Sequence, residues 1–406
     1  MRKFIIILLV LALIAGAFVF YFVATTPKNS AGIHLPLTES HLALLGDVPP
    51  AADWFALVPS AAVLHAKLLT NPVTREPIEQ WSAQQQQLPS PWMIGGGDLA
   101  IWKIGKRTSY AIRLDPIRAF LVRMYLMLSS DVDARWDGRV FVINGGGATG
   151  MGAAAVAPLV ALGNGMANGD ALVVQRENAR GAFPPIGRPA VSIIKISASE
   201  IFIDSRARAE ESESAAPITA RFPRGAMLAA AFADPPRLIN DLDRFLGGRV
   251  SDLLAAGGAL AIYDVDTGTL LPRPKGVIVL PANDATRAEV GNIKDAVQLV
   301  GEVRDTGSEV LVSFDRSSLP LYIKDAIVPA PWPANRWAAR IDVPRFLPVA
   351  EKLGDSQGLR FAASRIHRAA RDLRRWMRPL QHASTIDAAD SVEGGVEELK
   401  VAVRSQ

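Results

Sequence analysis

The chain has 406 residues, enough for one large domain or for two to three ordinary ones. Nearly half of the residues are apolar and about a fifth are charged, which excludes a largely disordered chain. The formal net charge of +4 is too small to indicate a nucleic-acid partner. Because the chain has no cysteine, disulfides, thiolate metal sites and cysteine nucleophiles are excluded as well.

The N-terminus contains a long apolar run. Residues 4–24 carry no charge, and at about 1.5 Å per residue a helix of that length spans the roughly 30 Å core of a bilayer. Arg2 and Lys3 precede the run, and only Lys28 follows it closely, so the positive-inside rule keeps the N-terminus in the cytoplasm. We therefore expect a signal-anchor helix over residues 1–24, a single-pass location in the bacterial inner membrane and a periplasmic body.

A cleaved signal peptide is the alternative interpretation of this run. Its apolar stretch would span about 7–15 residues and end at a small-x-small site. Ala15-Gly16-Ala17 lies inside the run, and Val23-Ala24-Thr25 is a poor cleavage site. The uncleaved anchor is therefore favoured, and both interpretations place the body outside the cytoplasm.

The remaining chain divides by composition. Residues 25–52 mix proline, serine and glycine with polar residues, a pattern typical of a tether. A globular body begins near Trp54. We predict a first unit over residues 53–224 and a second over residues 225–406.

An internal repeat underlies this division. The stretch Gly96–Trp102, "GGDLAIW", recurs as Gly257–Tyr263, "GGALAIY". Around each copy the same order of strand and helix patterns is found. In the first unit these patterns cover residues 61–69, 77–87, 109–115, 116–127, 139–144 and 171–177; in the second they cover residues 225–233, 236–254, 276–282, 284–300, 309–314 and 336–342. We therefore predict an α+β fold, a duplicated body with mostly antiparallel or mixed sheets.

A glycine-rich stretch follows one of the predicted strands. Gly145, Gly147 and Gly150 have the spacing of a dinucleotide-binding turn, which requires a helix directly after it. Pro158 interrupts that helix pattern and costs about 3 kcal/mol or more in a helix interior. The second unit carries Asp315-Arg316-Ser317-Ser318, without glycine, after its equivalent strand. We therefore predict a loop, with no cofactor and no nucleotide partner.

Two aspartate pairs are the strongest candidates for catalysis. Asp131 with Asp133, and Asp264 with Asp266, are spaced so that both carboxylates share one face of a strand, where they could hold a cation or act as acid and base. Both pairs adjoin turn signals, however, and aspartate commonly caps backbone groups in turns. His65 lies in an apolar run and is interpreted as a packed strand residue. We predict no metal site and no enzyme.

The most distinctive surface is a late basic helix over residues 359–380. Leu359, Ile366, Leu373 and Leu380 recur every seven residues and form an apolar stripe. The other face forms a candidate contact for anionic groups such as lipid phosphates or an acidic partner. A helix docked on the core with a solvated basic face is the simpler alternative. The basic face consists of Arg360, Arg365, Arg368, Arg371, Arg374, Arg375 and Arg378.

No motif identifies a family, although the layout is similar to that of many bacterial envelope proteins of unknown function. We expect a membrane-anchored periplasmic binding or scaffolding protein without catalytic activity, whose partners are the inner membrane (through residues 4–24) and an envelope protein or anionic lipid. The basic helix and the surfaces between the two units are the expected contacts. Two alternatives remain open: a periplasmic carrier of an apolar ligand or lipid, and an envelope hydrolase that uses the aspartate pairs.

Overall fold

The chain forms two compact units, one made of residues 1–198 and 203–208 and the other of residues 199–202 and 209–406. The computed structural model describes most of both. The described residues are 21, 24–27, 32–84, 95–128, 134–137, 140–143, 152–176, 188–209, 218, 220–233, 257–267, 272–299, 301–313, 315–355, 368, 371, 374 and 377–406.

The first unit is built on an eight-stranded sheet. Its strands are β1 (Trp54–Val58), β2 (Leu99–Ile104), β3 (Arg107–Arg113), β4 (Ala134–Asp137), β5 (Val140–Ile143), β6 (Ala171–Gln175), β7 (Ala190–Ile196) and β8 (Glu200–Arg208), of which residues 200–202 belong to the second unit. Its helices are α1 (Glu39–Leu45), α2 (Ala61–Thr70), α3 (Pro72–Gln84), α4 (Pro116–Leu128) and α5 (Gly152–Leu162). Across the sheet the strand order is β4-β5-β3-β2-β1-β6-β7-β8, and the neighbours from β4 to β7 pair antiparallel.

The second unit is also built on an eight-stranded antiparallel sheet. Its strands are β10 (Leu228–Phe232), β11 (Gly258–Asp266), β12 (Arg273–Pro281), β13 (Glu302–Asp305), β14 (Glu309–Ser313), β16 (Trp337–Asp342), β17 (Ala383–Glu393) and β18 (Val396–Ser405). A separate pair is formed by β9 (Arg221–Pro223) and β15 (Ile327–Pro329). Its helices are α6 (Asp284–Gln298), α7 (Ser318–Lys324), α8 (Val343–Asp355) and a 3-10 turn (Arg378–Leu380).

The two sheets have the same topology. The order in the second unit is β13-β14-β12-β11-β10-β16-β17-β18, which repeats the first order strand for strand. The two copies of the sequence repeat form β2 and β11, with Ala100 and Ala261 buried at equivalent positions. Outermost in each order lies a four-residue strand, β4 or β13, which has one neighbour among the described strands.

Each sheet packs one helix on one face. In the first unit α4 contributes Ala119 and Val122 to a core that includes Ile112 and Phe141. In the second unit Val290 of α6 packs with residues of β12 and β14 in the same way. We call these the helix faces of the two sheets.

The opposite faces are filled differently. In the first unit Phe55, Leu57 and Trp102 pack under Leu44 and Leu45 of α1. In the second unit the equivalent face is lined by small residues such as Ala229, Ala261 and Ala338, which pack with Phe222 and Tyr263. The register shows the difference along one row of paired residues. That row reads Ala100–Leu57–Leu172–Ile193 in the first unit and Ala261–Ala229–Arg340–Asp387 in the second.

The predicted fold class was wrong as stated. The described residues form mostly antiparallel sheet, with 42% strand against 31% helix. The helix patterns read from the sequence are real over residues 116–128 and 284–298, but those helices are excursions between antiparallel strands. Among the strands that were missed, β4 and β13 are short and polar, and β17 and β18 alternate weakly between apolar and polar residues.

Two local predictions also need correction. The apolar run at residues 61–69 was predicted as a strand, but it forms helix α2. The Ser60 side chain caps this helix by accepting a hydrogen bond from the Val63 amide. The strand of this region is β1, which lies just before the helix in the chain. A short apolar run does not by itself distinguish a strand from a helix. The stretch with Pro158 also forms a helix, α5, because its apolar side chains Leu159 and Val160 pack against the core of the first unit.

The predicted membrane anchor is not supported. Of residues 4–24, only Tyr21 and Ala24 belong to the described part of the chain. Within that described part, no helix combines the length and the apolar character needed to cross a bilayer. The transmembrane helix and the single-pass inner-membrane location are therefore corrected. The prediction rested on apolar length, and a protein surface can bury an apolar segment as a bilayer does.

The range predicted as a tether, residues 25–52, packs against the sheet of the first unit. Ile33, Leu44, Leu45 and Val48 of this range are fully buried. Thr38 caps α1 by accepting a hydrogen bond from the His41 amide. The composition of the range is rich in turn residues, but its few apolar side chains occur where they can fill the face over β2 and β3.

Candidate functional site

An open cleft of about 790 Å³ lies within the second unit. Its walls come from the ends of β11 and β12, from α7 and from the start of α8. The lining residues combine five charged side chains with apolar ones. They are Gly225, Met227, Tyr263, Asp264, Lys275, Ser317, Ser318, Leu321, Lys324, Asp325, Pro344, Arg345 and Pro348.

Two charged side chains fix the shape of the cleft. Arg345, near the start of α8, donates to the carbonyl oxygen of Gly225 and, at 2.8 Å, to that of Tyr263. Asp325, directly after α7, accepts a 2.7 Å hydrogen bond from the Gly225 amide. These bonds tie α7 and α8 to the chain between β9 and β10, so the walls are held by hydrogen bonds to the backbone.

Tyr263 contributes a neutral hydroxyl to this wall. Its ring is buried, and its hydroxyl group donates to Asp325 at 3.4 Å. Burial and the neighbouring carboxylate of Asp325 both raise the pKa of Tyr263 far above its ordinary value. The phenol therefore stays protonated over the physiological range and acts as a hydrogen-bond donor.

The aspartate pair Asp264 and Asp266 lies at the edge of the cleft, in strand β11 and beside a bulge, where the sequence predicted a turn. The register places Lys275 opposite Asp264 and Arg273 opposite Asp266. Lys275 donates to Asp264 at 3.1 Å, and this bond holds the pKa of that carboxyl below its usual value. The carboxylates face bases across the strand pair, an arrangement that suits neither a cation nor a general acid.

Asp315 holds the entrance to α7. Its carboxylate accepts hydrogen bonds from the amides and hydroxyl groups of Ser317 and Ser318. Burial raises the pKa of Asp315, but these four hydrogen bonds outweigh it and leave the pKa below its ordinary value. A carboxylate with a lowered pKa is a weak base at neutral pH, so it does not activate either serine efficiently.

The remaining surface of the cleft is cationic and apolar. Lys324 is exposed at the end of α7. Leu321 is half exposed on the same helix, and Met227 is buried beneath the cleft. Three bases and two acids line the cleft in total. The arrangement suits a ligand with one anionic group and a short apolar part.

Neither family nor relative assigns a role to these residues. No protein-family model matches the chain. No curated protein matches it, and no solved structure matches it either.

An ion cluster around a buried carboxylate lies at Asp387 in the same unit. The carboxylate is fully buried, and it accepts hydrogen bonds from Arg340 at 2.6 Å and from Arg404. Arg404 also pairs with Glu200 at 3.2 Å, and Arg340 lies 5.8 Å from the centre of the Phe222 ring. Two bases around one buried carboxylate stabilise its charge, which would otherwise be costly to bury.

The predicted basic face is partly described. Arg368, Arg371 and Arg378 are exposed, and Arg374 forms a 2.6 Å ion pair with the exposed Asp355. Arg360, Arg365 and Arg375 lie outside the described residues. The helical pattern is present at the four described positions from residue 368 to residue 377 and ends in the 3-10 turn Arg378–Leu380. Contact with anionic groups stays a prediction.

The other predicted features either fall outside the described residues or lie in a different structural element from the one predicted. Asp131, Asp133 and the glycine-rich stretch 144–151 are not described. The strands on either side of that stretch, β5 and β6, are separated in the sheet by β3, β2 and β1, whereas a dinucleotide turn joins neighbouring parallel strands. His65 lies on α2, where burial lowers its pKa. No group of potential metal ligands is found among the residues with a described position.

The cleft residues Tyr263, Asp325 and Arg345 were not singled out from the sequence. Asp325 follows a seven-residue helix, and Arg345 lies 20 residues further along the chain. Only the fold brings them to Gly225. One signal was available: the repeat places Tyr263 where the first unit has the fully buried Trp102, so the second copy introduces a hydroxyl group.

Proposed function

We propose that this protein binds a small ligand with an anionic group and a short apolar part in the cleft of its second unit, and that it acts by binding and not by catalysis. The observation that carries the proposal is the cleft itself. Its volume of about 790 Å³ lies within the usual range for small-molecule sites, about 300–1,000 Å³.

The charges in the cleft support an anionic ligand. Asp325 is occupied by the Gly225 amide and the Tyr263 hydroxyl, and Asp264 is paired with Lys275. Lys324 is exposed on α7, and the described residues offer its ammonium group no ion pair or hydrogen bond. A ligand carboxylate or phosphate would therefore meet a cation without displacing an existing acid.

The apolar lining supports a ligand with a hydrocarbon portion. Leu321 is half exposed on α7, and Pro344 and Pro348 lie on the facing helix α8. A short alkyl chain between these residues would remove apolar surface from water, which contributes about 25 cal/mol per Å² buried.

Asp264 of the cleft and Asp315, which caps the start of α7, support binding over hydrolysis. The pKa of Asp264 and that of Asp315 both lie below the ordinary value. A general acid would need a raised pKa, and an efficient base would need a pKa near the working pH. Both carboxylates stay ionised and hold neighbouring groups in place.

Four six-carbon probes test the proposal by isothermal titration calorimetry on the full chain: hexanoate, hexyl phosphate, hexanol and hexylamine. We expect the two anions to bind and the alcohol and the amine to bind weakly or not at all. Lys324→Met should weaken anion binding about two- to fivefold, the effect of losing one partly exposed ion pair.

Lys294→Met is the matched control, since Lys294 is also exposed but lies on α6 outside the cleft. Equal binding of hexylamine and hexanoate would contradict the anionic preference. Unchanged anion binding by Lys324→Met would contradict the role of the cleft. Hexyl phosphate should be recovered intact after incubation, and release of inorganic phosphate would contradict the non-catalytic part.

A further inference from the structure

Helix α4 of the first unit exposes an apolar stripe. Ile117, Phe120, Met124 and Met127 are 39%, 59%, 44% and 67% exposed. Their spacing of three, four and three residues places them on one side of the helix. The buried side of the same helix packs on the sheet through Ala119 and Val122. The stripe is therefore additional to the face that holds α4 in place.

Among the side chains that the structure describes, the equivalent helix of the second unit shows no such stripe. Helix α6 occupies the same place in the topology, after β12, as α4 does after β3. Its exposed side chains with a described position are polar or small and include Asp284, Arg287, Asn292 and Lys294. Because the fold accepts a polar outer surface at this position, the apolar stripe of α4 indicates a contact specific to the first unit.

The N-terminal apolar run ends at this helix. The Tyr21 hydroxyl donates to Asp115 at 2.9 Å, and Arg118 donates to Thr26 at 3.1 Å. Arg118 is almost fully buried and lies 5.8 Å from the centre of the Tyr21 ring. Asp115 directly precedes α4, and Arg118 lies in its first turn. The chain that follows the apolar run is thus bound to the start of α4.

We propose that the segment Phe4–Phe20 packs along α4 and covers its apolar stripe. Helix α4 is 13 residues long, about 20 Å at 1.5 Å per residue, and the segment is long enough to follow it from the contact at Tyr21. Both surfaces are apolar, so their contact removes both from water. The bonds at Asp115 and Arg118 hold the segment close, which raises its effective concentration at the stripe.

The absence of cysteine from the natural chain permits a direct test. Met124→Cys is combined with Ala12→Cys or with Gly16→Cys in the full chain, and each double variant is oxidised in solution. An antiparallel course from Tyr21 brings residues 12–16 level with Met124. We expect an intrachain disulfide, detected as a linked peptide by mass spectrometry after proteolysis without reduction.

Lys106→Cys with the same partners is the matched control. Lys106 is exposed in the same unit, in the turn between β2 and β3 at the end of β3 remote from α4. We expect no intrachain disulfide there. Equal yields at Lys106 and Met124, or a disulfide that joins two copies of the chain, would overturn the proposal.

A fluorescent label distinguishes the segment from lipid as the cover of α4 and does not depend on disulfide geometry. A bimane attached through the single substitution Met124→Cys should emit at short wavelength in the full chain. Its emission should shift to longer wavelength when residues 2–20 are deleted. If the full chain emits at long wavelength and shifts only on addition of phosphatidylcholine–phosphatidylglycerol vesicles, the proposal is wrong and lipid covers the stripe.

Discussion

The two units share one strand order, but they fill the same face of the sheet with different chemistry. In the first unit the row across the sheet contains Leu57, Leu172 and Ile193, all buried and apolar. At the equivalent positions the second unit has Ala229, Arg340 and Asp387. Large apolar side chains occupy this row in the first unit, whereas an alanine and an ion cluster around the buried Asp387 occupy it in the second.

The comparison shows that this topology does not depend on one kind of core. An apolar row derives its stability from the close packing of large side chains. A buried ion cluster contributes less net stability, because desolvation of the charges offsets their attraction, but it depends strongly on every partner being present. The two units should therefore respond differently to the same kind of substitution.

The largest effect is expected at Asp387. Asp387→Ile introduces the residue found at the equivalent position of the first unit, but it leaves the half-buried Arg340 without its acid. The free energy of unfolding should fall by about 3–5 kcal/mol. Adding Arg340→Leu should recover more than half of that loss, since Arg404 keeps its pair with Glu200. Differential scanning calorimetry measures both variants. A double variant as unstable as the single one would contradict the equivalence of the two rows.

The apolar row should respond to lost volume. Leu172→Ala removes a fully buried side chain and should lower the free energy of unfolding by about 2–5 kcal/mol. Leu172→Met keeps the volume and should cost less than about 1.5 kcal/mol. Urea unfolding followed by tryptophan fluorescence compares the two. Equal losses for both substitutions would show that packing does not determine stability at this position.

The helix caps give a smaller difference. Asn283 caps α6 by accepting a 2.7 Å bond from the Thr286 amide. Asn283→Ala should cost about 1 kcal/mol. Asn292→Ala, an exposed position inside the same helix, is the control and should change stability little. Thermal unfolding followed by circular dichroism tests this pair, and an equal effect of both substitutions would contradict capping by Asn283.

The smallest effect concerns pH, since the first unit caps α4 with an acid where the second unit uses an amide. Burial raises the pKa of Asp115, but bonds from Arg118 and Tyr21 outweigh it, so the pKa lies below the ordinary 3.8. A depressed pKa stabilises the folded state above pH 3.8, and the contribution is lost as the pH falls through the folded pKa. The stability difference between the natural chain and Asp115→Asn should therefore be largest near neutral pH and shrink below about pH 4. A constant difference would rule out this role of ionised Asp115.

Sequence patterns located the elements with strong periodicity. The helices over residues 116–128 and 284–298 and the strands around Ala100 and Ala261 follow from their apolar spacing. The strands β17 and β18 were missed because they place the charged residues Asp387, Asp390 and Glu397 at buried positions. Helix α5 was missed because its burial outweighs the cost of Pro158, which local rules cannot weigh.

The candidate site was less predictable than the fold. The cleft depends on hydrogen bonds from Arg345 and Asp325 to the backbone at Gly225, and these residues are separated by 100 positions or more. The local spacing of residues in a sequence does not indicate contacts between positions so far apart. The aspartate pair was visible because its members are neighbours, yet its chemistry was decided by Lys275 and Arg273 on the next strand.

The outermost strand of the second unit has a consequence for the behaviour of the protein at high concentration. Strand β13 has one neighbour, and three of its four residues, Glu302, Arg304 and Asp305, are charged and exposed. An unpaired strand edge is a template on which further chains assemble into fibrils. The charged side chains of β13 keep the unpaired backbone groups of this edge solvated. They therefore oppose the pairing of a further strand with β13.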